Sequence, residues 1–208
     1  MNTIDQIYVL IHQDFNRLGF LDDQEGLWYL DPESYERYVK MTQHQNEIIQ
    51  HVIQDENTAL FVYPALFGLL DYYEYLPKED RNLLENKLLD IAEWSQQLID
   101  RFVLLKDGDF DEKRLFSRGR SFWKTEGYAL GLTDPDFRNK LPFQYVPKKT
   151  NLHVFGEYTS NCVNDYGRAL CRSLDIPENR FQIVREASIE NIQLMHEFEG
   201  DFYKQLPG

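Results

Sequence analysis

Leu152-His153-Val154-Phe155-Gly156, then Glu157-Tyr158, then Thr159-Ser160-Asn161-Cys162-Val163: this stretch decides how the chain is read. A short apolar run is followed by small polar residues, and a helical pattern then continues from Ser160 to Leu174. The order predicts a buried strand that turns directly into a helix, with Cys162 at the junction. First-turn amides of a helix lack internal partners and carry the positive end of its dipole, so that position favours thiolate over thiol. Cys162 is therefore the first candidate for a nucleophile.

Working outward, the same alternation recurs along the chain. Ile7 to Ile11 is a continuous apolar run that ends at His12-Gln13-Asp14, as expected of a strand buried on both faces. Asp31-Pro32-Glu33 opens a helix, with Asp31 as N-cap and Pro32 at the first helical position. Tyr35, Tyr38, Val39, Ile48, Ile49, Val52 and Ile53 form its apolar stripe. A second strand, Thr58 to Tyr63, precedes a helix over 77–100 with Leu83, Leu84, Leu88, Ile91, Trp94, Leu98 and Ile99 on one side. Arg101 to Lys106 is the third strand, and Phe181 to Arg185 a fifth after Leu152 to Phe155. Residues 107–150 read as irregular, broken by a short helix capped by Thr133 or Asp134, and Ala187 to Leu206 reads as a closing helix. Strands alternating with helices specify an α/β fold: one domain over 1–208, with a central, mainly parallel sheet covered by helices on both faces in Rossmann-like layering. Ligand crevices in such sheets lie beyond the carboxyl ends of the strands. Asp14, Lys106 and Cys162 all fall there.

Composition limits the function. The 208 residues suffice for a substantial core, and 13 Tyr, 14 Phe and 3 Trp argue for a folded globule. An excess of 35 Asp and Glu over 22 Lys and Arg gives a net charge of -13, which repels phosphate backbones and anionic lipid. Neither nucleic acid nor a membrane is expected as a partner. No basic leader with an apolar stretch follows Met1, and no window is apolar enough to span a bilayer, so the expectation is a soluble, cytoplasmic protein. Two cysteines exclude a disulfide framework, and Cys162 and Cys171, nine residues apart on one helix, would face opposite ways.

Gly156-Glu157-Tyr158-Thr159-Ser160-Asn161-Cys162-Val163 resembles the Gly-x-x-Thr-x-x-Cys-Val signature of the isochorismatase-like cysteine hydrolases, which include nicotinamidases and N-carbamoylsarcosine amidases. Phe181 to Ser188 is similar to that family's next strand and Asp-Ala turn, with Glu186 in the Asp place. Asp14-Phe15-Asn16-Arg17-Leu18-Gly19-Phe20 matches its Asp-x-Gln-x-x-Phe pattern with Asn for Gln and one extra residue, and Phe110 resembles a phenylalanine found shortly after the family's lysine. The likeness covers most of the chain, with longer, variable segments at about 64–100 and 107–150. It implies that Cys162 attacks an amide-like carbonyl to form a thioester, that Asp14 serves as general base and then acid, and that Lys106 stabilises the thiolate. It also implies a cis peptide between Glu157 and Tyr158 and an oxyanion hole from the amides of Tyr158 and Cys162. No cofactor is implied. The Asp-x-His metal pattern of nicotinamidases is missing after the second strand, which turns the expectation away from nicotinamide; the substrate expected is another small amide-like molecule.

Plainer readings compete at each position. Cys171 reads as core packing, Asp14 as a possible capping or loop residue, and Lys106 as a possible solvated strand end. The basic cluster Lys113, Arg114, Arg118, Arg120 and Lys124 reads as a solvated face, or else as a lid attracting an anion. Histidines 12, 44, 51, 153 and 196 form no ligand motif, so no metal is expected. Tyr72-Tyr73-Glu74-Tyr75 reads as packing, as a surface for a homo-oligomer, or as a pocket wall. The rival to a hydrolase is a non-catalytic protein of the same fold serving in binding or assembly; a redox-sensing cysteine is a third reading.

Overall fold

A computed structural model describes residues 3–11, 20–21, 26–30, 32–63, 78–106, 129–131, 136–157, 162–189 and 194–198. For 20–21, 26–30, 79–80, 106, 129–131 and 194–198 the backbone alone is described. In chain order the elements are β1 (Thr3–Ile4), β2 (Gln6–Ile11), β3 (Phe20–Leu21), β4 (Gly26–Leu30), α1 (Pro32–Gln54), β5 (Thr58–Tyr63), α2 (Lys78–Gln97), β6 (Phe102–Lys106) and β7 (Ala129–Gly131). There follow a 3-10 turn (Phe137–Lys140), β8 (Gln144–Tyr145), β9 (Asn151–Glu157), α3 (Asn164–Leu174), β10 (Phe181–Ile189) and β11 (Leu194–Phe198).

Six strands form the central sheet in the order β10-β9-β2-β5-β6-β7, every pair parallel. Both faces are buried, as the continuous apolar runs require. Ile7, Val9 and Ile11 of β2, Ala59 and Phe61 of β5, and Leu152 and Val154 of β9 join one core with Leu170, Cys171 and Leu174 of α3 and Phe137. Leu10, Leu60, Val62, Leu104 and Phe155 join another with Ile49 and Val52 of α1 and Leu84, Leu88, Ile91 and Trp94 of α2. The expected layering is therefore present, with α1 and α2 on one face and α3 on the other. The chain winds from β2 through β5, β6 and β7 in one direction, then returns to place β9 on the far side of β2 and β10 beyond it. Winding direction reverses between β2 and β9, and a crevice opens at the carboxyl ends of strands at such a reversal.

Several expectations need correction. The closing helix over 187–206 is not formed: β10 continues to Ile189, and Leu194–Phe198 pairs antiparallel with Gly26–Leu30. The spacing of Leu194, Met195 and Phe198 suits a helix locally, but a partner strand about 170 residues away settles the matter. Residues 26–30, to which the sequence assigned no element, are the central strand of that three-stranded sheet. Within 107–150, β7 was not foreseen, and the short helix is a 3-10 turn at Phe137–Lys140 that follows Asp136. Tyr35 and Val39 of α1 are exposed; its buried stripe is Ser34, Tyr38, Met41, Thr42, Gln45, Ile49 and Val52. The two longer polar members are bonded within the fold, Thr42 Oγ1 donating to Tyr38 O at 3.0 Å and Gln45 Nε2 to Ala187 O at 3.1 Å. Ile99 is exposed because α2 ends at Gln97 and the chain has already turned.

Two contacts fix the ends of elements next to the sheet. Arg101 Nη1 donates to three carbonyls, Val52 O at 3.1 Å, Asp55 O at 2.6 Å and Thr58 O at 2.8 Å, tying the last turn of α1 to the start of β5. At the far end of α3, Tyr145 Oη donates to Leu174 O at 2.9 Å, and Arg138 pairs with Asp175.

Candidate active site

Parallel strands bring all their carboxyl ends to one edge, so Ile11, Tyr63, Lys106 and Glu157 end on the same side of the sheet. The strand-to-helix junction is built at β9. Gly156 has φ +132°, a conformation open to glycine and rarely to other residues, and it lies opposite Ile11 in the ladder. A Cβ there would stand 1.9 Å from the Ile11 carbonyl oxygen, so only hydrogen fits between the two strands at the reversal point. Its amide donates to Ser188 Oγ at 3.3 Å, and Ser188 Oγ donates to Val184 O at 2.7 Å, which ties the bulge of β10 to β9.

Cys162 and Val163 form a π-type turn that leads into α3. The Cys162 side chain is partly buried against the α3-side core, where Tyr166, Phe181 and Ile183 also pack. Tyr63, at the end of β5, packs on Tyr166 with ring centroids 4.4 Å apart, which brings the first turns of α3 over the strand ends. Cys171 is buried in the same core, as expected; both thiols are free. Both border one cluster, and Cys162 lies ahead of the helix that carries Cys171, so the condition of a shared helix is not met.

The electrostatics of the sulfur depart from the expectation. Burial pushes the Cys162 thiol up, the carboxylate of Asp165 adds to this, a hydrogen bond from its own backbone amide opposes it, and Glu157 raises it further. The Cys162 amide thus does act on the sulfur, but desolvation and two carboxylates outweigh it.

Among the other expected site residues, Lys106 ends β6, in register with Gly131, and its backbone alone is described. Asp14 and Tyr158, the Glu157–Tyr158 peptide, the basic cluster at 113–124 and the tyrosines at 72–75 lie outside the described residues, as do Asp31, Phe110 and His12. Sequence reasoning passed over Glu157, which ends β9 and is entirely buried. Its signal was available: an acidic residue directly after five strand residues and before the Cys162 segment. Among the described residues no group of His, Cys, Asp and Glu has the makings of a metal site, and no helix is long and apolar enough to cross a membrane.

Comparison with known proteins yields no match to any family model, curated protein or solved structure.

Proposed function

We propose that the chain is a cysteine hydrolase that cleaves a carbon-nitrogen bond of a small amide-like substrate. The observation that carries this reading is that Cys162 lies in the turn opening α3, five residues after the end of β9, the strand that neighbours β2 where the winding of the parallel sheet reverses. Its likeness to the isochorismatase-like signature supplies the chemistry. Cys162 Sγ attacks the carbonyl carbon as its proton passes to a base, the role given to Asp14; the same proton is returned to the nitrogen as the carbon-nitrogen bond breaks, leaving a thioester that water hydrolyses. Lys106 would favour the thiolate, and the amides of Tyr158 and Cys162 would receive the oxyanion. Burial and the neighbouring carboxylates raise the thiol's pKa, so the scheme relies on that base to take the proton.

Cys162→Ala is expected to abolish hydrolysis of any amide found as substrate in a screen, with an unchanged circular dichroism spectrum; retained turnover refutes the nucleophile. The same sulfur environment favours a second reading, a non-catalytic protein of this fold. Trapping of the acyl-enzyme separates the two: after acid quench of the protein with an amide turned over in the screen, an acyl mass on Cys162 supports the hydrolase, and an unmodified Cys162 with no amide turned over supports the rival.

A further inference from the structure

The two halves of α1 meet opposite ends of the sheet, and they are held there very differently. The second half is anchored at the amino ends of the strands. Ile49 and Val52 belong to the core shared with Leu10, Leu60 and α2, Val52 O accepts from Thr58 Oγ1 at 3.0 Å at the start of β5, and Arg101 Nη1 holds the carbonyls of Val52 and Asp55. The first half meets the carboxyl end of β10. There Tyr38 and Met41 form a small cluster with Ile189, apart from the two main cores, and Ile189 is in register with the last residue of β9. This seam is poorly matched. Met41 is the single wholly apolar member of its buried stripe, since Ser34, Thr42 and Gln45 are polar and Tyr38 carries a hydroxyl. Thr42 Oγ1 donates back to Tyr38 O inside the helix, a contact that tends to bend helices. Gln45 Nε2 donates across the seam to Ala187 O at 3.1 Å, but Gln45 Oε1 and Tyr38 Oη are buried with no hydrogen-bond partner among the described residues. Such atoms favour any arrangement in which water reaches them.

We propose that the first half of α1, residues 32–45, is a hinged cover on the carboxyl end of β10, which swings off the sheet about residues 46–48 while residues 49–54 stay seated. Few apolar contacts and unpaired polar atoms are the marks of a segment that opens well short of global unfolding. The swing hydrates Tyr38 Oη and Gln45 Oε1, breaks the bond from Gln45 to Ala187, and bares Ile189. It thereby widens the crevice at the strand ends on the α1 side of the sheet. No atom of Cys162 or α3 takes part, so the cover and the hydrolase reading stand or fall separately.

Hydrogen exchange followed by mass spectrometry tests the hinge inside one helix. After correction for intrinsic rates, the amides of residues 38–45 should exchange at least about tenfold faster than those of residues 48–54, whereas simple fraying from both ends would protect the middle of a 23-residue helix best. Tyr38→Phe removes the unpaired hydroxyl and keeps the ring, so exchange over 38–45 should slow by about fivefold or more while exchange over 48–54 holds. A second readout follows access to the sheet itself. Ile189 is buried under the cover, so the thiol introduced by Ile189→Cys should react with iodoacetamide only as the cover opens, and adding Tyr38→Phe should slow that reaction by the same factor. Equal protection along α1 overturns the proposal, as does a Tyr38→Phe variant in which exchange over 38–45 is unchanged or faster. Labelling at position 189 that ignores Tyr38→Phe overturns it as well. Should Ile189→Cys fail to fold, the exchange profiles decide alone.

Discussion

Replacing Gly156 with alanine tests the geometry on which the site depends. An ordinary glycine-to-alanine change stabilises by roughly 0.4–1 kcal/mol, because the unfolded chain loses freedom. At Gly156 the sign should reverse. The φ of +132° places an L-residue in strained territory, at a cost of order 1–3 kcal/mol. The new methyl also meets the Ile11 carbonyl oxygen at 1.9 Å, a backbone atom of the neighbouring central strand that cannot swing aside as a side chain would. Overpacking of that sort costs roughly another 1–3 kcal/mol, mostly as separation of the two strands. The net loss expected is about 3–5 kcal/mol, a large part of the 5–15 kcal/mol typical of a domain. With a urea m-value of about 2 kcal/mol per molar, the unfolding midpoint should fall by about 2 M at unchanged m. Gly167→Ala is the comparison. The three atoms nearest its Cβ would all belong to the ring of Phe181, the first at 2.4 Å, and a partly buried side chain shifts more readily than the backbone of a central strand, so the loss should be smaller. A loss below about 1 kcal/mol in Gly156→Ala would refute the close approach of β2 and β9 described above.

Arg101→Ala strips three carbonyls at the α1–β5 corner of their shared donor and should cost about 2–3 kcal/mol in the same urea assay; an unchanged midpoint would show that water replaces the guanidinium at no loss. His153 stacks on Tyr8 with ring centroids 4.8 Å apart, and burial lowers its pKa below the ordinary 6.5. Its Nε2 is buried without a hydrogen-bond partner. A folded-state pKa below the unfolded one means that the unfolded chain takes up the proton first, so the contribution is intact above about pH 6.5 and is lost as pH falls through the folded value. His153→Phe should therefore lose less stability than the wild type between pH 7 and pH 5, measured as thermal midpoints; parallel losses would refute the assignment.

Much of the sheet was legible because parallel strands buried on both faces are continuous apolar runs, and Thr58 to Tyr63 is such a run from end to end. The helices were legible where a stripe recurs, as in Leu84, Leu88 and Ile91. What escaped was long-range. Gly26–Leu30 and Leu194–Phe198 have no local property that marks them as partners, and their pairing is decided by contacts across nearly the whole chain. At the site, the position of Cys162 after a strand could be read directly, but the state of its sulfur could not. Helix-start amides are visible in a sequence pattern, whereas the depth of burial and the approach of Glu157 and Asp165 come only with the third dimension.

The ribbon that joins Gly26–Leu30 to Leu194–Phe198 has a consequence for the order in which the protein can be assembled. On a ribosome adding 5–20 residues each second, the first of these segments is made on the order of 10 to 30 s before the second. Throughout that interval the early strand offers an aromatic-bearing edge with no mate from its own polypeptide, and an unpaired edge is what neighbouring nascent chains pair with by mistake. Shielding by a chaperone, or temporary cover from another part of the same polypeptide, is the requirement that this topology places on biosynthesis.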